Sequence, residues 1–164
     1  MRVLLMRHGA AVSAGHGPDD HRFLTRSGRQ KSLEVAASLR DRGHAPTHVY
    51  TSPLVRAVQT AELLVRAASL PGPAVVHAPL TPSGTTAMAL SVLDVHAGDD
   101  VVALVTHEPI VRALAGHLSG LGGAFPGFRT SGVAVLEITP RGARLLGRLH
   151  PDGPSWRDPD DLAP

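Results

Sequence analysis

The chain contains no cysteine. That excludes disulfide frameworks, thiolate metal sites, thiol redox chemistry and every enzyme built on a cysteine nucleophile, including the phosphatases with a Cys-x5-Arg loop. Long apolar runs are missing too: none approaches the ~18 residues of a membrane span, and the opening MRVLLM is cut short by Arg7 and His8. Neither a membrane anchor nor an export signal is expected, and a cytoplasmic location is the default. Charge of one sign is also scarce. Charged residues make up 18% of the chain and the net charge is only +2, which fits neither a disordered polyelectrolyte nor a nucleic-acid binder. Fifteen of the 16 basic residues are arginine, Lys31 being the exception. Their high pKa lifts the isoelectric point to 9.9 while the excess at neutral pH stays small. An arginine-rich surface close to neutrality suits small anionic groups better than a long polyanion.

What is present is enough for one core: 164 residues with a 43% hydrophobic share. The expected organisation is a single domain over 1–150 and a loose tail over 151–164. Apolar runs bounded by polar residues predict strands at Val3 to Met6, at HVYT, at residues 74–78 and at VVALVT, with SGVAVLEI and ARLLGRLH as a closing pair around TPRG. Between them, helical periodicity predicts a first helix ending at Gly43 and a second opened by Ser52 as N-cap and Pro53 as first residue. It also predicts a third over 85–96 and a fourth carrying Ile110, Leu114, His117 and Leu121 on one face. Residues 10–24, PLTPSG and GLGGAFPGF read as loops. Strands alternating with helices imply an α/β fold, a three-layer α/β/α sandwich around a mostly parallel sheet.

Three of the predicted strands end in ionisable residues. Arg7 and His8 follow the first, Arg56 lies in the first turn of the helix after HVYT, and His107 follows VVALVT. Open α/β sheets bind ligands at the carboxyl ends of their strands, so these four side chains can meet in one crevice. Two arginines, two histidines and nearby helix N-termini make an anion site, and the bidentate geometry of arginine favours phosphate. His16, His21, His44, His48, His77, His96, His117 and His150 show no recognised metal-ligand spacing and read as loop or surface residues. Glu108 reads as the N-cap of the helix begun by Pro109.

The strings LLMRHG, SPLVRAVQTA and VTHEP, in that order, resemble the signature segments of the histidine phosphatase superfamily, whose fold is the phosphoglycerate mutase-like one. RFLTRSGRQ, PLTPSG and FRTSGVAVLEI are most similar to its small SixA-type phosphohistidine phosphatase branch. The resemblance implies that His8 is a nucleophile that becomes phosphorylated, and that Arg7, Arg56 and a cationic His107 bind the phosphoryl oxygens. Arg22 would be a rim contact. No metal or other cofactor is implied, because arginines supply the positive charge. The implied partner is a phosphoprotein, such as a histidine-containing phosphotransfer domain. The alternatives are a small phosphorylated molecule hydrolysed at the same site, or a catalytically weak module that binds phospho-groups. Many members carry a glutamate in the loop after the third strand as proton donor to an alcohol leaving group, whereas PLTPSG has no carboxylate. That departure favours hydrolysis of P–N over P–O bonds, with Glu108, Asp19 and Asp20 left as other potential donors.

Overall fold

A computed structural model describes residues 1–13, 15 and 17–152. Six strands form one sheet: β1 (Arg2–Arg7), β2 (His48–Thr51), β3 (Val75–Val76), β4 (Val101–Thr106), β5 (Val133–Thr139) and β6 (Gly142–Leu149). Their spatial order is β3-β2-β4-β1-β5-β6. The first four are parallel to one another, and β5 and β6 run antiparallel at one edge. This is the mostly parallel α/β sheet that the alternation of apolar runs and amphipathic segments predicts.

The layers follow from the two-residue period of the strands. Val3 and Leu5 of β1, with Val102 and Leu104 of β4, face a core built with α3 (Thr86–Leu90) and α4 (Ile110–Ser119). Leu4 and Met6, with Ala103 and Val105, face the opposite core against α1 (Arg26–Asp41) and α2 (Val55–Ala67). Because β1 and β4 are covered on both faces, they read as unbroken apolar runs. Thr25 caps α1 by accepting from the Gly28 amide, and the chain leaves that helix through Gly43 in a left-handed conformation.

Several boundaries differ from the sequence reading, each for a local reason. The second helix begins at Val55 and not at Pro53, and Ser52 is not its cap. The expected third helix breaks after Leu90 into a tighter 3₁₀ turn over Ser91–Val95. The third strand shrinks to Val75–Val76, whose exposed side chains lie on a sheet edge. The fourth helix stops at Ser119 because Gly120 turns left-handed, so Leu121 is exposed and off the apolar face. Within the loop 10–24, Ala11 and Leu24 form an isolated bridge and Asp19–His21 a 3₁₀ turn. The expected tail is described only at Pro151 and Asp152, where Asp152 pairs with Lys31 and Arg129. Its remainder, like His16, lies outside the described residues.

Candidate active site

Three strands end level with one another. Arg7 of β1 pairs with Thr106 of β4, and Thr51 of β2 with Val105. The next residue of each segment, His8, Ser52 and His107, therefore reaches the same rim. Since β4 lies between β2 and β1, His107 stands in the middle. Its Nε2 is 2.8 Å from Ser52 Oγ, and its ring centroid is 5.0 Å from that of His8. All three are buried. Ser52 Oγ also accepts from the Leu54 amide at 3.4 Å, but it lies too early in the chain to cap α2, which starts at Val55.

His8 is pinned by its backbone and its ring. Its N–H donates to the Thr106 carbonyl and its own carbonyl accepts from the Ser131 amide. The Gly9 amide donates to Thr60 Oγ1 on α2 at 3.0 Å. A Cβ at Gly9 would lie 2.6 Å from Ser32 Oγ and 2.9 Å from the Gly28 carbonyl, so only glycine lets α1 approach this closely. A carbonyl can only accept, so the 2.7 Å contact between His8 Nδ1 and the Gly9 oxygen fixes the ring proton on Nδ1. Burial first, then the charges of Arg56 and Arg7, push the His8 imidazole down to about 4, against the opposing pull of the Gly9 carbonyl. At neutral pH the ring is uncharged and Nε2 carries the lone pair.

Arg7 donates through Nη1 to the Phe128 carbonyl at 2.7 Å, while its Nε is buried without a hydrogen-bond partner. Two residues hold that loop in place: Glu108, which the sequence offers as a cap or an acid, and Arg148, which it does not single out. Glu108 Oε1 accepts from the Phe128 amide at 2.6 Å, and buried Arg148 stacks its guanidinium over the Phe125 and Phe128 rings and donates to the Gly127 carbonyl. Glu108 is thus no N-cap, a position taken by Pro109. Arg148 gave no signal in the sequence because it sits on an ordinary strand, far along the chain from the loop it supports.

Arg56 is buried and already engaged. It donates through Nη1 to the Asp19 carbonyl at 2.6 Å and through Nη2 to Asp19 Oδ2 at 2.9 Å. Arg22 reaches the other oxygen, Nη1 to Oδ1 at 2.7 Å, with its Nε on the Val12 carbonyl. The hydrogen bonds from Arg22 and then Arg56 hold the Asp19 carboxyl below its usual range. An anion therefore already sits on the two arginines, and it is supplied by the protein. Asp20 is exposed, with His21 Nε2 4.0 Å from its Oδ2.

Burial, followed by the proximity of His8 and Arg56, pushes the His107 imidazole down to about 3 although Asp19 pulls the other way. Among the described residues its Nδ1 has no hydrogen-bond partner, nor has Arg7 Nε, and both are buried. Leaving such groups unpaired costs about 1–3 kcal/mol each, which an incoming acceptor would offset. Thr106 Oγ1 donates to the Leu80 carbonyl and so ties the PLTPSG segment to the strand end beside His107. That segment brings hydroxyls and no carboxylate.

Residues 3–80 match the sequence profile of the histidine phosphatase superfamily (branch 1). Phosphohistidine phosphatase SixA of Escherichia coli strain K12 is 33% identical over 145 residues, covering 87% of this chain and 88% of its own. A solved structure of the protein histidine phosphatase SixA complexed with tungstate superposes with a TM-score of 0.82 at 29% identity, covering 93% of this chain and 98% of the other. A mycobacterial glucosyl-3-phosphoglycerate phosphatase shares the fold at a TM-score of 0.68 and 18% identity, over 88% of this chain and 96% of its own.

Proposed function

The chain belongs to the histidine phosphatase superfamily, and we propose that it is a metal-independent phosphohistidine phosphatase working through a covalent phosphate on His8. The observation that carries this reading is the pairing of a ready nucleophile with a carboxylate, that of Asp19, already held ionised on the arginines. His8 is neutral with its lone pair on Nε2, whereas Asp19, the carboxylate on the arginines, is an ion pair with a depressed pKa and a poor proton donor.

In the proposed reaction the Nε2 lone pair of His8 attacks phosphorus in line. The P–N bond to the substrate imidazole breaks, and that nitrogen leaves with the bonding pair and a proton from solvent. Water then attacks the phosphorus of phosphorylated His8, releasing inorganic phosphate and restoring the neutral ring. Phosphoryl oxygens satisfy Arg7 Nε and His107 Nδ1, and they draw Arg56 away from Asp19, with Arg22 at the rim. A dianion beside His107 favours its protonated form, so binding of the phosphoryl group puts positive charge on the ring. The arginines provide the electrostatic stabilisation that Mg²⁺ provides in other phosphoryl-transfer sites.

The substrate class that fits is a phosphohistidine on a protein, such as a phosphotransfer domain, as similarity to SixA suggests. The direct test is hydrolysis of a phosphohistidine peptide with and without EDTA. Turnover is expected to be unchanged by chelation. A strict requirement for Mg²⁺ or Zn²⁺ would overturn the mechanism.

Asp19 competes with substrate for Arg56 and Arg22, so its neutralisation has a sign. Asp19→Asn is expected to tighten vanadate or phosphate inhibition about 5- to 10-fold, the effect of removing one like charge ~4 Å away at a partly solvated site. Inhibition constants measured at fixed ionic strength check this. Weaker inhibition in the variant would mean that Asp19 mainly orients the arginines.

A further inference from the structure

The rim of the sheet opposite His8 carries its own cluster of donors. His48 opens β2, Asp100 immediately precedes β4, and His96 closes the 3₁₀ turn Ser91–Val95. The whole length of β4 therefore separates this cluster from His107. One donor atom from each of the three residues lies within 4.8 Å of the other two. His96 Nδ1 is 3.1 Å from Asp100 Oδ2, and His48 Nδ1 is 3.9 Å from Asp100 Oδ1. Tetrahedral ligands at 2.0–2.1 Å from a zinc ion stand ~3.3 Å from one another; the His96–Asp100 pair is near that value, and the exposed His48 ring, whose Nδ1 is 3.0 Å from Thr47 Oγ1, would turn inward to join them. The His48 and His96 ring centroids are 4.4 Å apart, with the ring planes tilted by 54°.

The surroundings match what such a centre needs. A metal-bound imidazole usually donates its other N–H to a fixed partner, and His96 Nε2 is 2.9 Å from the Tyr50 hydroxyl. The same bond orients the His96 ring, whose side chain is only 6% exposed. Asp100 Oδ2 also accepts from the Ala97 amide at 3.3 Å, which steadies the carboxylate. Two imidazoles and one carboxylate select zinc-class ions over Mg²⁺ and Ca²⁺, which prefer all-oxygen shells.

We propose that His48, His96 and Asp100 form a binding site for a zinc-class divalent ion, positioned by Tyr50 and independent of the catalytic centre. The three protein ligands leave one position of a tetrahedral ion for water. The ion would tie the start of β2 to the loop before β4, so its effect is on stability and not on phosphoryl transfer.

The experiment uses the full chain without an affinity tag, stripped with chelator and then titrated with Zn²⁺ against a chromophoric chelator and, separately, with Co²⁺ followed by visible absorption. One equivalent is expected to bind in the micromolar range or tighter, with the absorption of low-coordinate Co²⁺. A hundredfold excess of Zn²⁺ over its dissociation constant is expected to raise Tm by about 5–10 °C. His48→Ala, at an exposed strand start that can lose its side chain without harm to the core, and Asp100→Asn are expected to weaken binding at least tenfold. Phosphatase activity of His48→Ala should match the unaltered protein. Absence of saturable binding, or equal affinity in His48→Ala, would overturn the site. So would Zn²⁺ inhibition of the phosphatase with the same affinity in both proteins, since that would place the ion at His8 and His107.

Discussion

His8→Ala is expected to lower turnover by about 10⁴-fold or more, as loss of a covalent nucleophile does elsewhere, while leaving vanadate affinity within a few-fold. The asymmetry follows from the state of the ring. His8 is neutral in the free site, so it adds little to anion binding, but its Nε2 lone pair is the group that forms the new bond. Arg56→Ala is expected to do the reverse to binding, weakening the anion by about 1.5–3 kcal/mol, the worth of a charge-assisted hydrogen bond. The pH profile gives a second readout. With His8 at about 4, protonation removes the nucleophile only as pH falls towards that value and not through the ordinary 6.5. Once corrected for ionisation of the substrate itself, kcat/KM should hold down to roughly pH 5. Equal turnover in His8→Ala and the unaltered chain would end the covalent mechanism, and an acid limb near 6.5 would contradict the burial of His8.

The elements that deliver this chemistry are the ones the sequence states most clearly. VLLM and VVALV are apolar throughout because both faces of β1 and β4 are covered, and the polar residues that follow them, Arg7 and His8 after one and Thr106 and His107 after the other, are the ones at the rim. What could not be read is what those side chains touch. Ser52 followed by Pro53 has the form of a helix start, but its hydroxyl is taken by His107, 55 residues away. Glu108 has the form of a cap and instead holds the Phe128 amide, 20 residues on. The same is true of charge. A histidine beside two arginines reads as part of a cationic cluster, yet burial and like charge push His107 down to about 3. Asp19 showed only as a candidate acid in a loop, because its grip on Arg56 and Arg22 depends on how the loop folds over α2. The set of His48, His96 and Asp100 was invisible for a related reason. Its members meet through parallel pairing of β2 with β4, and their spacing along the chain follows no ligand motif.

The second large effect expected is on leaving groups. Phosphohistidine, phosphoramidate and aryl phosphates should be hydrolysed far faster than alkyl phosphates, by about 10²- to 10⁴-fold, the usual contribution of a positioned general acid. An alkoxide needs a proton as it departs, whereas an imidazole nitrogen takes one from solvent and a phenolate leaves without one. Of the three candidate donors, Asp20 is exposed beside His21, and the other two are committed elsewhere. Asp19 is ionised between two arginines, Glu108 accepts from the Phe128 amide, and the loop tied to Thr106 has only hydroxyls to offer. Two variants make the argument decisive. Asp19→Asn and Glu108→Gln should both leave the ratio of aryl to alkyl rates nearly unchanged, because neither side chain donates the proton. Glu108→Gln should instead lower all rates together, since its carboxylate holds the loop whose Phe128 carbonyl positions Arg7. If alkyl phosphates are turned over as fast as phosphohistidine, and one of these variants abolishes only the alkyl activity, that carboxylate is the acid. The enzyme would then be a phosphomonoesterase for small molecules.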